Sequence, residues 1–278
     1  MLVEWIRRRC RNSRPPTELP AVRSSAQWCD YFRGNTHVGR EIPWEDALGI
    51  TPGELAAIAP SLRAWQLGET SDGAHLLSAA RKYAEQVGDP EFVTAIEYFI
   101  REEQHHGDVL GRFLDRAGVA RKQADWGDTL FRAFRYLLPN METWTTPVIM
   151  VETHALLYYN AIRLATPSPV LRQICAGILA DEIPHVRFQC ERLAQILHDR
   201  PRWLRVLTML LHRVFFTGIT LAIWAGHRRA LRAGGFDFFR FWRTAWAKMN
   251  WAWRLMDPTS YRWEAHGALP ATLQTADA

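Results

Sequence analysis

At several points in this chain a residue able to cap a helix is followed at once by proline, among them Asp89-Pro90, Thr146-Pro147 and Ser168-Pro169. Proline is tolerated at the first helical position because the N–H it lacks would have had no partner there. The preceding side chain, meanwhile, accepts from the first turn. Thr51-Pro52-Gly53-Glu54 has the spacing of a capping box for a short leading helix. Pro60 is then read as the start of a longer helix that ends near Gly88. Strand signals are scarce, because alternating β-branched residues are nearly absent and helix-period patterns recur from Pro52 onward. The expected fold class is all-α.

Four long helices follow, at about 60–87, 90–117, 147–165 and 169–198. The first two are joined tightly at Gly88-Asp89 and the last two through Thr166-Pro167-Ser168. Between the pairs runs a long connection, expected to hold a short helix around Thr129 to Leu138. Two short hairpins joined by one long crossover is the connectivity of a ferritin-like four-helix bundle, here with additional C-terminal helices. The expected organisation is an N-terminal extension over 1–50, a dimetal bundle over 51–198, and a basic, Trp-rich helical segment over 199–278 packed on the bundle.

The stretch EEQHHGDV, Glu102 to Val109, offers two overlapping Glu-x-x-His pairs. Steps of three and four from Glu103 reach Phe99, Ile96 and Phe92, then His106, Leu110 and Phe113, which is an apolar stripe. The same steps from Glu102 reach Tyr98, Ala95, His105, Val109 and the charged Arg112. Glu103 and His106 are therefore the inward pair, with Glu102 and His105 to the side. DEIPH repeats the layout, placing Glu182 three residues before His185 on a stripe with Leu171, Cys175, Ile178 and Leu193. Each remaining long helix carries one inward acid, Glu152 beside Leu156 and Tyr159, and Glu69 beside Leu62, Trp65 and Leu76. Glu85 and Glu54 are the alternatives to Glu69. One Glu from each of two helices and Glu-x-x-His from each of the others is the ligand set of a carboxylate-bridged dimetal site. Four inward carboxylates repel one another in a dry core unless cations neutralise them, and two divalent ions bring the formal charge to zero. Mixed oxygen and nitrogen donors suit iron or manganese. His154 is expected to point elsewhere, and His75 to approach the site only if the first helix is irregular. Tyr159 is either a packed core tyrosine or a group beside the metals. Pro184, inside DEIPH, should remove one helical hydrogen bond.

EEQHHGDVLGRFLDRAG followed by DEIPHVRF resembles the paired motifs of ferritin-like diiron-carboxylate proteins, and is most similar to those of soluble acyl-carrier-protein desaturases. The resemblance covers roughly 60–198. It implies Glu103, His106, Glu182 and His185 as ligands, with Glu69 and Glu152 completing the set. It also implies that Asp181, and Glu102 likewise, hydrogen-bonds a ligand histidine of the opposite motif, which fixes its tautomer and raises its basicity. The chain is shorter than plant-type desaturases, and its C-terminal third has no counterpart among them.

That third is basic and aromatic. It holds seven of the 13 tryptophans, and only Asp237, Asp257 and Glu264 oppose twelve Arg and Lys between Arg200 and Glu264. Val206 to Gly226 is long enough to test as a membrane span, but His212 and Arg213 near its middle argue for a buried fifth helix instead. Three roles compete for the segment as a whole: covering the mouth of the site, lying on anionic membrane, or docking an acidic partner such as an acyl-carrier protein or ferredoxin. No nucleic-acid-binding module is recognisable. The four cysteines, Cys10, Cys29, Cys175 and Cys190, have no CxxC spacing, and the N-terminus lacks the order of a secretory signal. The expected location is the cytoplasm, including the membrane periphery.

The expected function is a nonheme diiron, O2-activating oxidoreductase of the desaturase or oxygenase type. It would use two iron ions, or manganese with iron, on an apolar or acyl-like substrate. A ferredoxin or reductase would supply electrons, and a homodimer is the expected assembly. The alternative from another class is a ferroxidase or iron-handling protein.

Overall fold

A computed structural model of the chain describes residues 19–35, 41–125, 127, 129 and 140–263. Among the described residues there are eight α-helices and no strand. They are α1 (Ser25–Asn35), α2 (Pro52–Glu69), α3 (Ala74–Val87), α4 (Glu91–Arg116), α5 (Met141–Ala165), α6 (Pro169–His198), α7 (Arg202–Ala233) and α8 (Phe238–Met256), with a 3-10 turn at Pro258–Ser260 after α8. The all-α expectation holds. Apart from Thr129, the short crossover helix expected around Thr129 to Leu138 lies outside the described residues.

Some helix boundaries follow the punctuation and others override it. Thr51 and Glu54 form the capping box, and Ser168 Oγ accepts from the Leu171 N–H at 3.3 Å. The helix expected over 60–87 is instead two. Pro60 sits inside α2, which runs from Pro52 to Glu69, and the chain breaks before α3 begins at Ala74. The break follows from Gly73, whose φ of 69° is left-handed and whose missing Cβ leaves room for the Ile100 side chain of α4. Likewise α5 begins at Met141 rather than Pro147, because Asn140 Oδ1 caps the Thr143 N–H at 2.9 Å. Thr146, expected as the cap, bonds back to the Glu142 carbonyl from within the helix. Asp89 does not cap α4 with its side chain; its carboxylate accepts from Ser25 Oγ and from the Arg192 guanidinium, tying α1 and α6 to the α3–α4 corner.

α5 and α6 pack along their length, α4 lies against α2, α3 and α6, and α1 docks on α4. The regions before residue 51 and after 198 share this core. Trp28 and Phe32 of α1 are buried with Phe92, Phe99 and Phe188, and the Trp28 indole N–H donates to Glu191. α8 turns Phe241, Ala245, Met249, Ala252, Trp253 and Met256 inward against α5 and α6. Burying one large apolar side chain of this kind stabilises by about 1.5–3 kcal/mol. The Arg262 N–H donates to the Pro20 carbonyl, joining the two ends of the described chain.

α7 is not the buried fifth helix expected. Of its 32 residues only His212, Phe216, Thr220, Ala230 and Leu231 are buried. One face packs on α2, α5 and α8, and the opposite face carries exposed Val206, Leu210, Leu211 and Val214. His212 is accommodated because it points inward, within 3.3 Å of Thr146 Oγ1.

Burial holds His154, His212 and His227 down at about 4. The His154 Nδ1–H donates to the Met150 carbonyl, and Nε2 lies 3.1 Å from the Thr220 hydroxyl, which itself donates to the Phe216 carbonyl. Between their ordinary value, near 6.5, and about 4 the unfolded chain binds protons that the folded one refuses, so this contribution to stability is lost as pH falls. Urea unfolding of the parent and of His154→Leu at pH 7 and pH 4.5 checks this: the stability difference between them should narrow or reverse at the lower pH.

Candidate metal centre

Six residues expected from the sequence to face one another come from α2, α4, α5 and α6, and the fold brings their side chains to one place. Two trios, Glu69–Glu103–His106 and Glu103–Glu182–His185, each have one oxygen or nitrogen per residue within 4.8 Å of the other two, and they share Glu103. These five buried or half-buried residues could hold a metal ion. Glu152, the sixth, is buried, and its carboxylate borders the same cavity as Glu69 and Glu103.

Each histidine is oriented by the opposite motif. His185 Nε2 lies 2.7 Å from Glu102 Oε2, and His106 Nε2 lies 3.2 Å from Asp181 Oδ2. A carboxylate accepts, so each Nε2 carries a proton, and each Nδ1 is the ring atom turned towards the acids. His106 Nδ1 is 3.8 Å from both Glu103 and Glu182. His185 Nδ1 is 2.8 Å from Glu103 Oε1, without the angle of a hydrogen bond, so both atoms are buried and unpartnered. Glu152 Oε2, Glu182 Oε2 and His106 Nδ1 are unpartnered as well. Five buried donor-set atoms lacking partners in one cluster is what a cation would satisfy.

Further side chains occupy the outward oxygens. The Tyr159 hydroxyl donates to Glu69 Oε1 at 2.7 Å, and Gln189 Nε2 donates to Glu152 Oε1 at 2.7 Å. Asn35 of α1 donates from Nδ2 to both Glu102 and Asp181, at 2.8 Å each, bracing the two carboxylates that orient the histidines. Phe99 meets the His185 ring edge-on, with centroids 4.8 Å apart. Asn35 and Gln189 were not expected. Gln189 had a signal, being one turn beyond His185 on the same face of α6; Asn35 had none. The other candidates lie apart: His105 and His75 are exposed, and His154 binds Thr220 on the far side of α5. Glu54 serves the capping box and Glu85 is exposed.

Gly107 sets the approach of α2 to α4. A Cβ there would lie 3.2 Å from the Glu69 carbonyl and 3.0 Å from the Thr70 methyl, and Gln66 Nε2 donates to the Gly107 carbonyl at 3.3 Å. Pro184 is accommodated within an unbroken α6.

The electrostatics are those of crowded carboxylates taken out of water. Burial, and then the neighbouring Glu103, raise Glu69, Glu152 and Glu182 well above the usual carboxylate range. Burial would raise Glu103 too, but His185 and His106 more than reverse it and hold it at about 2. Burial would lower His185, yet Glu102 and Glu103 raise it well above its ordinary value. Glu103 has 23% of its side chain exposed, whereas Glu182 and His185 are sealed. The difference is the cavity of about 530 Å³ that Glu103, Glu69 and Glu152 border. Its walls are largely apolar, including Leu76, Phe99, Ile100, Trp144 and Val148, with Ile219 and Ile223 of α7 closing one side.

Comparison of the chain with protein-family models, curated proteins and solved structures finds no match in any of the three.

Two outcomes follow. Asn35→Leu should leave the helices intact but lower divalent-metal affinity about 10- to 100-fold, read by competition with a chromophoric chelator. Glu152→Gln should raise the melting temperature of the metal-free protein at pH 8, because its raised pKa means that ionising it opposes folding as pH rises. The gain should fade towards pH 5, and the stabilisation produced by adding Fe(II) or Mn(II) should shrink.

Proposed function

We propose that the cluster is the dimetal centre of a ferritin-like four-helix bundle formed by α2, α4, α5 and α6, and that the protein is an O2-activating diiron oxidoreductase. Its substrate is an apolar or acyl-like molecule held in the adjoining cavity. The observation that carries this reading is the junction of the two features: Glu69, Glu103 and Glu152 border a largely apolar chamber of about 530 Å³, whose other polar lining includes Ser71, Lys122, Asp125 and His227. Ligand pockets of that size and character suit organic molecules, whereas an iron-storage protein needs an ion path. Two trios sharing Glu103 would hold two ions, with Glu69 and His106 in one trio and Glu182 and His185 in the other. The oxygen-rich donors with one imidazole per trio fit iron, or manganese with iron.

When bound, the iron pair supplies the activation of dioxygen and the oxidising power. The chain supplies the rest. Glu102 and Asp181 keep the Nε2 protons in place, so Nδ1 of each ring is the atom a metal ion would take, in place of any proton there. Tyr159 and Gln189 each hold one oxygen of a glutamate and thereby fix the direction of the other. Phe99, Trp144 and Val148 exclude water and position a C–H bond beside the carboxylates. Electrons come from a separate ferredoxin or reductase, and an acyl-carrier protein is a candidate substrate carrier.

Anaerobic loading with Fe(II), followed by optical and Mössbauer spectra on mixing with O2, tests the centre. About two irons per chain and an oxidised, coupled pair are expected, both lost in Glu103→Ala and Glu182→Ala; fewer than one iron in the parent sinks the reading. Ala222→Phe, which fills the chamber, should preserve iron binding and O2 uptake while cutting turnover of acyl substrates by about tenfold or more. Iron accumulating well beyond the pair, without substrate oxidation, would instead favour a ferroxidase.

A further inference from the structure

The exposed face of α7 is long and uncharged along most of its length, with Thr217 and Gly218 lying between its apolar residues Val214 and Leu221. Trp203, Val206, Leu210, Leu211, Val214 and Leu221 recur at helical spacing, with Trp203 68% and Val214 72% exposed. From Trp203 to Leu221 the stripe spans about 27 Å. Soluble proteins rarely leave contiguous apolar surface of this extent uncovered. The same face then turns basic: Arg228, Arg229 and Arg232 continue the spacing beyond Leu221, and all three are exposed. The two residues that argue against membrane contact in the sequence are off this face. His212 is buried towards Thr146, and the Arg213 guanidinium lies at the flank, 5.1 Å from the centre of the Trp253 ring.

We infer that this face of α7 docks the protein on an anionic lipid bilayer, as a helix lying in the interface. The stripe enters the acyl boundary while Arg228, Arg229 and Arg232 reach the headgroup phosphates. Charge selects this occupant over a second copy of the chain. α7 contains no Asp or Glu from Arg202 to Ala233. A two-fold pairing through the stripe would set the arginines against each other, or against the Trp203 end of the partner helix with its Arg202 and Arg205. Neither arrangement offers them an acid, whereas anionic headgroups do. Although α7 is long and apolar enough to cross a membrane, its opposite face is packed on α2, α5 and α8, so it lies on the surface rather than spanning it. The inference is independent of the metals.

Flotation of the full chain with vesicles of phosphatidylcholine, alone or mixed with phosphatidylglycerol, tests it. Binding to the mixed vesicles is expected, weakening with salt, with little binding to the neutral ones. Arg228→Gln with Arg229→Gln should weaken it about 30-fold, from about 1 kcal/mol per charge. Val214→Asp should reduce it strongly, and Lys82→Ala, exposed on α3, should not change it. The two arginine replacements are polar and exposed, so they test the idea even if Val214→Asp disturbs folding. Absence of flotation with the mixed vesicles at low salt would overturn the inference. So would binding indifferent to both the arginine and the Val214 variants. A concentration-dependent dimer that Val214→Asp dissociates, in a parent that does not float, would overturn it in favour of self-association.

Discussion

Charge brought out of water is the constraint around which this molecule is arranged. Glu69, Glu152 and Glu182 are buried beside a half-buried Glu103 and two sealed imidazoles. Desolvation penalises each carboxylate, and proximity penalises them together. The arrangement is tolerable without a cation only if most of the acids hold protons, which is the direction in which their pKa values move. The crossed contacts of Glu102 with His185 and Asp181 with His106 work in the same sense. They place negative charge outside the cluster, where it orients donors without adding to the repulsion within. α1 exists in this economy as a brace, since Asn35 satisfies both outer acids with one amide.

The sequence made some of this legible and hid the rest, for physical reasons. Helix class and the inward registers of Glu103, His106, Glu182 and His185 could be read because an apolar stripe repeats at 3.6 residues and leaves little choice of face. Glu69 and Glu152 followed from the apolar residues that share their helix faces. Helix starts were less readable, since a cap followed by proline is permitted by local chemistry and not required by it. Thr146-Pro147 and Pro60 were absorbed inside longer helices once packing favoured continuing them. Asn35 and its two carboxylate partners are separated by 67 and 146 residues, and no local pattern marks a contact of that range. The surface of α7 is hidden in the sequence for a related reason. Hydropathy reports that a helix is apolar, but only packing reveals which side is covered.

α7 thus has two apolar faces with different surroundings. Its inner face carries Phe215, Ile219 and Ile223 to the cavity, and its outer face carries the uncovered stripe. Among the described residues, one helix, about 10 Å across, stands between the chamber beside the carboxylates and the outside along this side. The arginines at its C-terminal end, exposed and without acids on the same helix, give that thin wall a defined polarity along its length.

The spacing of the cluster depends on an atom that is not there. α2 ends at Glu69 and is pressed against α4 where residue 107 has no side chain, so the gap between Glu69 and Glu103 is fixed by the width of a bare backbone. A methyl group at that point would act as a spacer between the two helices. The bite of the two glutamates is therefore gauged by a residue that donates nothing to the site, and the glycine following His106 belongs to the motif as a measure of distance.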